Sequence, residues 1–94
     1  MPFPNQTARA FTKANIEAIK PGTIGVYGLF RQGAWVYIGR GDIRARLLEH
    51  LGGGNACITR EKPTSYVDEV TTNDEAREKA LILEFDPICN KKVG

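Results

Sequence analysis

The chain has 94 residues, 41% of them hydrophobic, with two cysteines, one histidine and a formal charge of +2. That is room for a single domain, 1–94, and no room for a separate specificity domain; a chain this short buries only about 60–65% of the surface its unfolded form exposes. No apolar run approaches a membrane span, Met1-Pro2-Phe3-Pro4-Asn5 has neither the basic nor the apolar region of a signal peptide, and so mild a charge does not by itself point to nucleic acid.

Residues 1–6 read as an extended or flexible lead. Thr7 to Lys20 reads as a helix with Phe11, Ala14, Ala18 and Ile19 on one face and Pro21-Gly22 as its stop. Two strands follow, Thr23–Phe30 and Ala34–Gly39, joined by Arg31-Gln32-Gly33. A three-residue loop pairs Phe30 with Ala34, and therefore Tyr27 with Tyr37 and Gly25 with Gly39. Side chains alternate along a strand, so Gly25, Tyr27 and Leu29 share one face, as do Trp35, Tyr37 and Gly39. One sheet face then carries two phenols beside two positions with no side chain, a slot that a protein or nucleic-acid backbone can approach closely. A loop of even length would send the tyrosines to opposite faces, so the register decides whether the slot exists.

A helix is predicted from Ile43 to Leu51, N-capped by Asp42 and stopped by Gly52-Gly53-Gly54, with Ile43, Leu47, Leu48 and Leu51 apolar. Arg46 and His50 lie four apart and stack on one face of it. Gly52 to Pro63 reads as a long irregular loop carrying Arg60 and Lys62. Thr64–Val70 alternates as a third strand, with Tyr66, Asp68 and Val70 on one face. Thr72-Asn73-Asp74-Glu75 reads as a capping box opening a helix from Asn73 to Phe85. Glu78 falls on the apolar stripe of that helix with Ile82 and Phe85, and a carboxylate on a packing face must be paired, neutralised or bound to a metal. Pro87-Ile88-Cys89-Asn90 is an extended tail that docks back on the domain. The expected architecture is α+β: a three-stranded antiparallel sheet flanked by helices.

Cys57 and Cys89 have no metal-ligand spacing, and a single histidine argues against a structural zinc site. They read as small, partly buried thiols in a reducing compartment, which makes the cytoplasm the default location. Charge is unevenly spread: five basic and three acidic residues from Arg40 to Lys62, against seven acidic and two basic from Val67 to Asp86. A basic side and an acidic side are one reading of this; a mixed solvated surface is the other.

In order along the chain, Gly25-Val26-Tyr27, Tyr37-Ile38-Gly39, Arg46 with His50, Glu78, and Asn90 after Pro87 resemble the GIY-YIG nuclease domain, with Val26 in place of the middle isoleucine. The resemblance covers roughly Thr23 to Asn90. It implies a core of 23–90 with residues 1–22 as an added helical extension. Either tripeptide is only moderately specific; the ordered set is much more so. The link from Gly39 is slightly shorter than in some relatives, and Arg46 is favoured over Arg44 as the functional arginine because it alone stacks with His50.

The resemblance implies a metal-dependent endonuclease acting on DNA. Glu78 would hold one divalent ion, Mg²⁺ or Mn²⁺, and a single carboxylate completed by waters is a weak, hard-oxygen site of the kind magnesium takes. Tyr27 is the candidate general base or water-positioning group. A free phenol titrates near ~10, so a neighbouring Arg40 or Arg46, or a metal-bound water, would have to favour its phenolate. Tyr37 would bind the phosphate or the attacking water. Arg46 would clamp the scissile phosphate. His50 would position water, shuttle a proton or contact phosphate. Gly25, Gly39 and Asn90 would support the site, and Arg40, Arg44, Arg60 and Lys62 would contact the nucleic-acid backbone, which places it without reading sequence. Each residue also has an ordinary reading: a half-buried strand aromatic, a surface arginine, a satisfied histidine, a carboxylate paired with a base. Two other functions compete. One is a nucleic-acid-binding module of the same fold without catalysis. The other is a small interaction protein whose tyrosine face docks a protein partner. A dimer or partner protein is also compatible with so small a domain.

Overall fold

A computed structural model describes residues 3–4 and 6–90. The order is β1 (Arg9–Ala10), α1 (Lys13–Glu17), β2 (Ile24–Arg31), β3 (Ala34–Asp42), α2 (Ile43–Leu51), α3 (Ala56–Glu61), β4 (Ser65–Val70) and α4 (Asp74–Phe85), closed by a 3₁₀ turn at Ile88–Asn90. The class is α+β as expected, but the sheet has four strands in the order β1-β4-β2-β3, every described pairing antiparallel.

The hairpin departs from its predicted register in an instructive way. Its loop is two residues, Gln32 (φ 43°) and Gly33 (φ 81°), both left-handed, the backbone that matches strand twist in tight hairpins. Such a loop alone would put the tyrosines on opposite faces. One extra residue restores the parity: Phe30 pairs with Trp35 but Leu29 pairs with Tyr37, which leaves Val36 as a bulge in β3. Tyr27 therefore lies opposite Gly39 rather than Tyr37, and Gly25 lies opposite Gly41 rather than Gly39. Trp35, ahead of the bulge, packs on the other face with Phe3, Phe30 and Phe85.

Both faces of the sheet are covered. On one, Tyr27, Leu29, Val36 and Tyr66 join Ile16 of α1, Ile43 and Leu47 of α2 and Ile58 of α3 in the main core. On the other, Val26 and Ile38 pack on Leu81 of α4, with Phe3, Trp35, Ile82 and Phe85 around them. Asp42 caps α2 as predicted, its carboxylate accepting from the Ala45 amide at 3.1 Å.

Three other expectations are corrected, and that of an extended or flexible lead is narrowed. The Thr7–Lys20 helix is a short strand followed by five helical residues capped by Thr12, and its core contacts are Phe11, Ile16 and Ile19, with Ala14 and Ala18 exposed. The lead is not free: Phe3 stacks on Trp35 at 5.7 Å, and the Gln6 amide donates to Asp68 O (2.7 Å) and accepts from Asp68 N (3.0 Å); Met1, Pro2 and Asn5 lie outside the described residues. The 52–63 loop contains α3, whose first turn is capped by the Asn55 side chain at 3.1 Å. The capping box at α4 does not form, since the N-cap Asn73 makes no side-chain bond; the Thr71 hydroxyl accepts from the Asn73 amide instead.

Gln6 has a counterpart. The Asn90 amide accepts from Ile38 N at 2.7 Å and donates to Ile38 O at 2.9 Å. Each side chain thus stands in for one residue of a missing strand, Gln6 beside β4 and Asn90 beside β3, and closes part of an otherwise unpaired sheet edge. Cys57 and Cys89 are joined as a disulfide, so the expected free thiols are corrected, and the argument from them to a reducing compartment falls. No described helix is long and apolar enough to cross a membrane.

Candidate active site

Tyr27 sits at the centre of the main core face and is fully buried. Its ring occupies the space that Gly39 leaves. A Cβ built on Gly39 would run into the Tyr27 hydroxyl and stand 2.8 Å from Cε2 of Tyr37. The predicted slot is therefore filled from within the molecule. At Gly25 the close neighbour is the β4 backbone, with the Val70 Cα 2.9 Å from where a Cβ would lie. The Tyr27 and Tyr37 rings are 6.3 Å apart, and Tyr37 is the one that keeps partial exposure.

From α2, His50 reaches Tyr27. Its Nε2 lies 2.7 Å from the Tyr27 hydroxyl, and its ring meets Tyr37 edge-on at 5.1 Å. His50 is 5% exposed and its Nδ1 is buried without a partner. Burial, then the charge of Arg46, lowers its pKa. The ring is accordingly neutral at pH 7, and one of its nitrogens is free to accept a proton.

Arg46, one turn earlier, lies beside both phenols and pairs with Glu49 at 3.2 Å. Burial pushes the Tyr27 phenol well above its usual range, helped by Tyr37; Arg46 acts the other way and does not prevail. Tyr37 is pushed up by burial and then by the charge of Glu78, again against Arg46. Arg46 thus favours the phenolate in direction, as expected of a neighbouring arginine, but burial outweighs it and Tyr27 is a neutral phenol here. Arg44 takes no part in this group, and its Nε is buried without a partner.

Glu78 comes from α4, whose apolar residues pack on the opposite face of the sheet, yet its charge is felt by Tyr37, Tyr27 and Arg46. The Glu78 carboxylate is therefore within electrostatic reach of the phenols, although its helix packs on the other face. Glu78 pairs with Arg40, Nε to Oε1 3.6 Å, and Arg40 also faces Asp74 (3.4 Å) and Glu75 (4.0 Å). Arg40 thus sits among the carboxylates of α4, not on an open basic face. Of the other predicted backbone contacts, Arg60 pairs with Glu61 at 3.4 Å and Lys62 lines a cavity of about 400 Å³ with Phe11, His50 and Leu51. Glu49 was missed by the sequence reading, although its spacing of three from Arg46 was visible.

No protein-family model matches the sequence, and no curated protein does. Solved structures do match. The magnesium-bound GIY-YIG N-terminal endonuclease domain of UvrC from Thermotoga maritima is 24% identical, with a TM-score of 0.71 over 84% of this chain and 96% of that one. An asparagine-to-alanine point mutant of that domain, bound to its catalytic divalent cation, is 22% identical, with a TM-score of 0.72 over 85% and 96%. The chain has the fold of a GIY-YIG nuclease domain.

The residues present are compatible with the metal that this fold holds in UvrC. Burial, opposed by Arg40 and Arg46 and reinforced by Asp74 and Glu75, raises the pKa of the Glu78 carboxyl, so a partly buried hard-oxygen donor, paired with Arg40, lies within electrostatic reach of the phenols. Among the described residues there is no group of three or more acidic, histidine or cysteine side chains placed to hold an ion. A divalent cation at Glu78 would take its remaining ligands from water and substrate.

The buried histidine makes a pH prediction. A folded-state pKa below the unfolded value means that the unfolded chain binds more protons, so stability is lost as pH falls from about 6.5 towards the lower folded value. The chain has one histidine, so its ring resonances are unambiguous in NMR. Their titration midpoint is expected below ~6.5, with a lower denaturation midpoint at acid pH. A ring that titrates at or above the free value contradicts the placement.

Proposed function

We propose that the chain is a metal-dependent endonuclease that hydrolyses DNA phosphodiester bonds, with Mg²⁺ or Mn²⁺ at Glu78. The observation that supports it most is the grouping of Tyr27, Tyr37, His50 and Arg46 on one face, with Glu78 within electrostatic reach. A phosphodiester resists attack because its charge repels nucleophiles and its leaving alkoxide is poor. Arg46, with its guanidinium partly exposed, binds the phosphate and offsets that charge. Tyr37, the less buried phenol, hydrogen-bonds a phosphate oxygen or the attacking water. A neutral phenol can take a proton only by giving up its own, and His50 Nε2, 2.7 Å from the Tyr27 hydroxyl, is placed to receive it. Tyr27, fully buried in the free protein, would relay the proton to the imidazole once bound substrate brings the attacking water to its hydroxyl. The divalent ion would supply polarisation of the phosphate and of a nearby water. Gly39 leaves room for Tyr27, and Asn90 holds β3 next to it.

One observation favours the alternative of an inactive binding module: Glu78 is already paired with Arg40, which two more carboxylates of α4 hold. The test is incubation with duplex, single-stranded, flapped and branched DNA and with RNA, in Mg²⁺, Mn²⁺ or EDTA. The nuclease reading expects cleavage of DNA with either ion and none in EDTA. Binding that weakens with salt, without cleavage, favours the binding module. DNA affinity indifferent to salt favours a protein-docking surface, since phosphate contacts release counterions.

A further inference from the structure

The Cys57–Cys89 disulfide joins the first turn of α3 to the turn that carries Asn90, across 32 residues of chain. Asn90 is the next residue after Cys89, and its amide clamps the backbone of Ile38 through both hydrogen-bonding groups. Ile38 lies between Tyr37 and Gly39, the residues that flank the Tyr27 phenol. The turn rests on β3 through that clamp, through the buried Pro87 and through the partial packing of Cys89 on the core, Ile88 beside the bridge is 41% exposed, and the disulfide adds a link to α3. The covalent link therefore fixes the clamp against the body of the domain.

The bridge is also placed for exchange. Both cysteines are only partly buried, and the Arg60 guanidinium lies 3.6 Å from the Cys57 sulfur. A cation beside one sulfur favours its thiolate and makes it the better leaving group. We propose that the Cys57–Cys89 bond is a redox latch on the candidate site, opened by a dithiol reductant, and that its opening slows the reaction assigned above. A thiolate of the reductant attacks the Cys89 sulfur, forming a mixed disulfide there while Cys57 leaves as the thiolate. The second thiol of the reductant then displaces Cys89. Two electrons pass to the protein, which gains two thiols, and the reductant becomes a disulfide. The Asn90 turn, freed from α3, loosens its grip on Ile38.

The regulatory part rests on the nuclease reading, so the test has one arm that needs no substrate. The full chain is compared before and after treatment with dithiothreitol, thiols being counted by alkylation and mass spectrometry. Hydrogen exchange is followed across residues 34–42, and plasmid cleavage is measured in Mg²⁺. The oxidised protein is expected to have no free thiol. Reduction is expected to speed exchange at the Ile38 amide and to slow cleavage roughly ten- to a hundredfold, the scale of a displaced active-site group. Asn90→Ala, left oxidised, should reproduce both changes, and a Cys57→Ser/Cys89→Ser double variant should not respond to reductant. Two free thiols in the protein kept under oxidising conditions overturn the proposal, as does unchanged exchange at Ile38 on reduction. Faster exchange with undiminished cleavage overturns the link to the site. Faster exchange in a chain that cuts nothing in either state supports the latch and removes the nuclease reading instead.

Discussion

Replacing Tyr27 with phenylalanine is expected to reduce DNA cleavage by about 10²–10⁴-fold, the usual worth of a positioned acid–base group. The ring still fills the space over Gly39, so the fold is kept and DNA binding through Arg46 survives. What is lost is the oxygen between the attacking water and His50. The deletion also carries a stability cost. His50 Nδ1 already lacks a partner, and removing the hydroxyl leaves Nε2 without its bond in a site 5% exposed to solvent. An unsatisfied buried polar group costs about 1–3 kcal/mol, to be read from chemical denaturation. Undiminished cleavage by Tyr27→Phe removes the proton-relay assignment and leaves Tyr37 as the phenol at the reacting atoms.

Gly39→Ala is expected to damage both stability and cleavage, although it adds only one methyl group. The new Cβ would overlap the Tyr27 hydroxyl and stand 2.8 Å from Tyr37 Cε2. The Tyr27 ring has no room to retreat, since it is packed among Leu29, Ile43 and Leu47 in the main core and against His50. Overpacking of this kind costs about 1–3 kcal/mol. A phenol moved by even an ångström loses roughly a hundredfold in rate. Gly52→Ala is the control. Its Cβ would meet nothing nearer than the Leu48 carbonyl at 3.4 Å, and denaturation midpoint and cleavage are both expected to stay near those of the unaltered chain. A Gly39→Ala protein as stable and active as Gly52→Ala would show that the phenol does not depend on the glycine.

The hairpin shows what alternation of side chains can and cannot decide. Parity was legible: Gly and Tyr at fixed spacing on two short strands put both phenols on one face. The pairing was not, because a two-residue loop with a bulge at Val36 has the same parity as a three-residue loop, while shifting every partner beyond the bulge by two positions. Trp35 changed faces for the same reason. The helix carrying Arg46 and His50 was readable from its cap and its glycine stop, both strong local signals. Elements fixed by distant contacts were hidden. Arg9–Ala10 is a strand only because β4 lies beside it, and Gln6 and Asn90 act as edge clamps only once the sheet exists. The disulfide was invisible because 32 residues separate its cysteines and only the fold brings α3 against the final turn. Glu78 was singled out as a carboxylate on an apolar stripe, but its pairing with Arg40 depends on how α4 lies across β3.

The account depends most on a divalent ion acting at Glu78. The direct measurement is nicking of supercoiled plasmid by the unaltered chain and by Glu78→Gln over a titration of Mg²⁺. The substitution keeps the size of the side chain and removes its charge. The unaltered chain is expected to nick in proportion to bound Mg²⁺ and to stop in EDTA, while Glu78→Gln, still folded and still binding DNA, falls by about 10²–10³-fold, the loss seen when one transition-state-stabilising group is removed. Equal nicking by the two proteins, or nicking by the unaltered chain in EDTA, would contradict it.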